Sequence, residues 1–162
     1  MNTIKMSLEN SKAWTLGLIN DMKDAPLTQP TSNGGNHPVW VLGDLVRAES
    51  DLLDGFILGQ SNRFPELESL FSIGTTPTTE SDKYLSIDEL LGKFEQIRAE
   101  SLAHLETLTE TDLDQRSHAP EDFGPPFATV GACFAAMSSH MNFHAGQVAD
   151  ARRAEGRPPL MA

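Results

Sequence analysis

In four separate segments of this chain, apolar residues return at three- and four-residue spacing, and nowhere do they alternate over a useful length. A segment patterned this way forms a helix with one apolar stripe, because 3.6 residues per turn bring such positions onto one face. Four stripes in 162 residues can bury one another only by packing side by side. The pattern therefore predicts an all-α four-helix bundle, a single domain spanning 1–162.

The first pattern runs from about Thr3 to Lys23, with Ile4, Trp14, Leu16, Leu18, Ile19 and Met22 as apolar positions. A turn-rich loop follows, with two prolines and the Gly34–Gly35 pair. The second helix starts at His37–Pro38, where Pro suits the first helical position, and Val41, Leu45, Ala48, Leu52 and Phe56 form its stripe up to Gly59. The irregular stretch 61–85 contains a short helix around Pro65 to Phe71. A connection that long lets the second and third helices lie parallel instead of forming a tight hairpin. Ser86–Ile87–Asp88–Glu89 reads as a capping box opening the third helix, whose apolar face includes Leu90, Leu91, Phe94, Ile97, Leu102, Leu105 and Leu108. The fourth runs from about Ala128 to Glu155. Thr129 is its N-cap, Gly156 its C-terminal cap, and Pro158–Pro159 prevents continuation.

Charge and composition exclude several functions. Against 12 Lys and Arg stand 23 Asp and Glu, a net charge of −11, so no nucleic-acid partner is expected, since that affinity comes mainly from neutralising phosphates. The close cations Arg152, Arg153 and Arg157 fall at a helix C-terminus, where the dipole accounts for them. No apolar run approaches the roughly 20 residues of a membrane span, and the start lacks the apolar block of a secretory signal. No membrane partner and a cytoplasmic location are expected. The lone Cys133 excludes an internal disulfide and any cysteine-rich zinc module.

The segment that points to chemistry is His140–Met141–Asn142–Phe143–His144. Imidazoles four residues apart on a helix stack roughly 6 Å apart along the axis and can aim nitrogens at one divalent ion. Residue 141 is Met where a zinc protease motif has Glu, so that class is excluded. The bland alternative is two satisfied histidines at a core edge, beside the stripe of Val130, Phe134, Met137, Met141 and Val148. A further ligand must come from a facing helix. Asp44, on the flank of the second stripe, is the leading candidate. His37 is a second, although it stands at the cap position, and Glu49 is a weaker third. Two His and one carboxylate leave coordination positions open, the mark of a catalytic site. Gln147, three residues after His144, is placed to orient that ligand from behind. Cys133 lies two turns from His140, too far to ligate.

Two segments, His37–Glu49 (HPVWVLGDLVRAE) and His140–Leu160 (HMNFHAGQVADARRAEGRPPL), resemble the DinB-like or YfiT-like superfamily of small helical bundles. The likeness extends through the middle of the chain. It implies metal-dependent hydrolase or thiol-dependent transferase chemistry on a small molecule, with a low-molecular-weight thiol as a possible partner and a homodimer as the assembly. It also implies a divalent metal, Zn or Ni first, Mn or Fe next, held by three histidines. His140 and His144 match two of them, and Asp44 stands where the resemblance calls for the third. Asp is a harder, shorter ligand than imidazole, so the departure either retunes the metal or marks a degenerate, empty site. In the second case the protein is a non-catalytic interaction or stress protein. A third reading is a carrier with an apolar cavity walled by Trp40 and Met141.

Overall fold

The computed structural model describes residues 1–32 and 35–160, so Gly34 of the expected glycine turn lies outside the described residues. The helices are α1 (Asn2–Asp21), α2 (Pro38–Ser50), the short α3 (Glu68–Phe71), α4 (Ile87–Thr107), the short α5 (Glu110–Leu113) and α6 (Val130–Ala154). Among the described residues there is no strand; the one bridge joins Arg116 and Thr129. No helix among the described residues is long and apolar enough to cross a membrane.

The helix ends follow the local chemistry. His37 caps α2, its Nδ1 accepting from the Trp40 amide at 3.1 Å, with Pro38 in the first turn. Ser86 and Glu89 make the reciprocal capping box of α4, and Thr129 accepts from the Ala132 amide at 3.1 Å to start α6. Gly156 ends α6 at φ +71°, a conformation that favours glycine. One feature has no counterpart in the periodicity. After Ser50 the helix widens into π-helical turns over Asp51–Ile57 before Gly59 stops it at φ +65°.

Contacts along the helices fix their directions. α1 and α6 run parallel: Thr15 Oγ1 donates to the Met141 carbonyl at 3.3 Å, and Arg152 Nε meets Asp21 Oδ2 at 2.8 Å nearer the C-terminal ends. α2 and α4 are also parallel, with the His37 ring against Tyr84 at 5.2 Å at one end and Glu49 on Arg98 further along. α2 and α6 are antiparallel, as Asn36–Gln147 and Phe56–Phe127 show. The long connection is thus a crossover between parallel helices.

That connection also covers α2. Leu67 and Phe71 are buried, and the Trp40 indole donates to the Leu70 carbonyl at 3.0 Å. A Cβ on Gly43 would sit 2.2 Å from the Phe71 ring, so only glycine lets the two meet. Within the stripes, Trp14 is 54 % exposed on α1, where Leu8 is the buried residue instead. Ala48 and Phe56 are only half-buried because they face a cleft.

Arg98 is almost fully enclosed and touches all four long helices. From α4 its Nε and Nη2 donate to the two carboxylate oxygens of Glu49 on α2, each at 2.7 Å. Its Nη1 donates to the Leu8 carbonyl of α1 at 2.6 Å, and Nη2 lies 3.5 Å from Met141 Sδ of α6. Ser101 Oγ completes the set on Glu49 Oε1 at 2.9 Å. Glu49, weighed from sequence as a possible ligand, is therefore fully committed to the core.

Two expectations follow. Glu49→Leu and Arg98→Leu should each cost about 3–5 kcal/mol in urea unfolding, because each strands a buried charge, while the double variant recovers most of the loss. A single variant costing under ~1 kcal/mol would contradict this balance. Asp54 should give a pH-dependent contribution. Burial pushes its carboxyl up, but hydrogen bonds from Arg63 and Ser50 and the Arg63 charge more than reverse this, so it titrates below the ordinary value of 3.8. A depressed folded pKa stabilises above the unfolded value and is lost as pH falls through the folded one. The stability gap between wild type and Asp54→Asn should hold at pH 5–7 and close as the pH drops below about 4; a gap that widens there would refute it.

Candidate metal centre

The antiparallel meeting of α2 and α6 brings Asp44 opposite His140 and His144. Asp44 Oδ2 is 3.1 Å from His140 Nε2 and 3.0 Å from His144 Nε2, and the two ring nitrogens are 2.8 Å apart. Asp44 and His144 are buried and His140 is half-exposed. The three atoms are close enough for one ion at ordinary ligand distances of roughly 2.0–2.2 Å to touch them all.

The surroundings decide which atoms face that point. His144 Nδ1 lies 2.7 Å from Gln147 Oε1, which also accepts from Asn36 Nδ2 at 3.2 Å. An amide oxygen only accepts, so neutral His144 carries its proton on Nδ1 and presents Nε2 as a bare lone pair. That lone pair faces a carboxylate oxygen, an arrangement a cation resolves. This donor set therefore fits a divalent ion. Burial pushes the Asp44 carboxyl up, yet when the two rings are protonated their hydrogen bonds and charge outweigh it and hold it below the ordinary carboxylate value. Asp44 is thus the anionic member of the set.

The half-exposed edge of the site opens into a cleft of about 560 Å³. One wall is α2 with the π-helical turns that follow it, from Trp40 to Phe56, a second is α6, and the rims are residues 72–75 and the turns around Phe123 and Phe127. Phe56, Phe123 and Phe127 pack edge to face at 5.2, 5.7 and 5.9 Å between centroids.

Other residues weighed from sequence fall elsewhere. His37 is not at the site: its Nδ1 caps α2, its Nε2 donates to the Thr78 carbonyl at 2.9 Å, and burial lowers its pKa, consistent with a neutral structural ring. Met141 is enclosed beside Arg98 and is not among the residues lining the cleft described above, whereas Trp40 is. Cys133 is fully buried, its Sγ 3.5 Å from the Phe127 carbonyl, and burial raises its pKa. The sequence reading placed Trp40 at a cavity wall but missed the rest of the cleft. Its rims come from irregular segments without periodicity, although the half-buried Phe56 at the end of a stripe was a signal.

Compared with known proteins, residues 7–148 match the model of the DinB superfamily. No curated protein matches the chain significantly.

Cys133 should react with Ellman's reagent at least about a hundredfold more slowly in the native protein than in guanidinium, since neither access nor thiolate is available. Fast native labelling would place the thiol at an accessible site.

Proposed function

The chain belongs to the DinB superfamily, and on that premise we propose that it is a divalent-metal-dependent enzyme acting on a small molecule by hydrolysis or thiol transfer. The observation that carries this reading is the convergence of Asp44 Oδ2, His140 Nε2 and His144 Nε2 at one wall of an open cleft. A divalent ion bound there would supply Lewis acidity and make a water or thiol more acidic.

The chain's own residues do the rest. Asp44 supplies one negative charge, and His140 and His144 supply neutral nitrogens, so the set leaves a divalent ion with residual positive charge. Gln147 fixes the ring plane and tautomer of His144, and Asn36 holds Gln147 in turn. Trp40, its ring centroid 6.3 Å from that of His144, shields the inner side from water. The open side belongs to the substrate.

Metal content of untagged protein, measured by mass spectrometry after incubation with Zn²⁺, Ni²⁺ or Mn²⁺, tests the reading. About one ion per chain is expected in wild type and none in His144→Ala, with affinity in Gln147→Ala reduced roughly 10–100-fold. Wild type that takes up none of the three would remove the proposal.

A further inference from the structure

The cleft is unevenly furnished, and the unevenness describes what it accepts. Its metal-ligand set lies towards the Trp40 end of α2. From Asp44 it runs along the helix and its π-helical turns to Phe56, twelve residues on, at most roughly 18 Å at the α-helical rise. The far end is aromatic, formed by the mutually packed Phe56, Phe123 and Phe127. Ile73 on one rim is 89 % exposed and Phe123 on the other 42 %, so apolar surface stands open to water on both sides of one groove. Between the ligand set and the aromatic end stands one cation, Arg47, on the turn after Asp44.

Arg47 has donors to spare. Its Nη2 is 2.9 Å from Asp51 Oδ2, and among the described residues its guanidinium makes no other ion pair or hydrogen bond. Asp51 is supported independently by Asn62 Nδ2 at 2.7 Å. A guanidinium carries five N–H donors in a planar fork suited to a carboxylate, so most of this fork is unspent and borders the cleft.

Resting on the reading of this cleft as the substrate site, we propose that its substrate is an elongated organic acid. Its carboxylate pairs with Arg47, its alkyl or aryl tail lies among Phe56, Phe123 and Phe127, and its reacting group reaches Asp44, His140 and His144. In a chain of net charge −11 the overall field disfavours anions. A preference for an anionic ligand over a cationic one of equal length is therefore a local property of the site.

Calorimetric titration of zinc-loaded and of chelator-treated protein with octanoate, octylamine and propionate tests this. Octanoate should bind at least tenfold more tightly than either of the others, in both preparations. Arg47→Gln should abolish the preference for octanoate over octylamine, and Arg47→Lys should keep part of it, which separates lost charge from misfolding. Phe123→Ala should weaken octanoate several-fold and leave propionate unchanged. Octanoate binding no better than octylamine, or a preference that survives Arg47→Gln but vanishes on chelation, overturns the assignment; the latter would put the carboxylate on the ion. Protein that takes up no metal yet keeps the octanoate pattern would sink the metal reading alone. Protein that takes up zinc and ignores octanoate would sink this inference alone.

Discussion

The heights at which the four long helices meet are set by one buried guanidinium. Arg98 reaches the Glu49 carboxylate on α2, the Leu8 carbonyl on α1 and the Met141 sulfur on α6 from its own place on α4. Apolar stripes alone let helices slide, because one methyl group packs almost as well as the next. A charge that must find its partners within hydrogen-bond reach does not allow that. Asp44 lies just over a turn from Glu49 on α2, and His140 and His144 flank Met141 on α6. The residues that meet at the cleft wall thus hang from two of the points Arg98 holds. A slip of a fraction of an ångström there would be felt among three atoms spaced about 3 Å apart.

At the cleft wall itself, the protein has left one charge and two nitrogens facing each other, which is costly unless something positive joins them. Elsewhere the chain shows how it treats buried carboxylates it wants satisfied: Glu49 receives Arg98 and Ser101, and Asp54 receives Arg63 and Ser50. Among the described residues Asp44 faces only the two histidines, one of which has its proton drawn to the far side by Gln147. The contrast is between carboxylates built into structure and one held available.

The helices were legible because their determinants are local: spacing of Leu and Phe, the Ser86–Glu89 box, Thr129 and Gly156. The pairing of Asp44 with His140 and His144 was also legible, through stripe positions and the likeness of two segments to a known superfamily. Three things were not. Trp14 looked like core by residue type, yet it faces water at 54 % exposure. Arg98 carries no local signal, since one chain does not announce which cation will be buried against which anion. The cleft depends on where irregular segments land after folding, and the π-helical turns that carry Asp51 and Phe56 have no reliable signature in residue spacing.

The parallel arrangement of α1 with α6 has a kinetic consequence. The helix made early packs chiefly along one made more than a hundred residues later, and α2 waits somewhat less long for the segment that faces Asp44. Such high contact order slows folding, because long loops must close before they are rewarded. During synthesis, the apolar faces of α1 and α2 stay without their α6 partner until α6 emerges. The nascent chain is thus exposed to aggregation in that interval, and a fragment lacking α6 holds only Asp44 of the three residues that meet at the cleft wall.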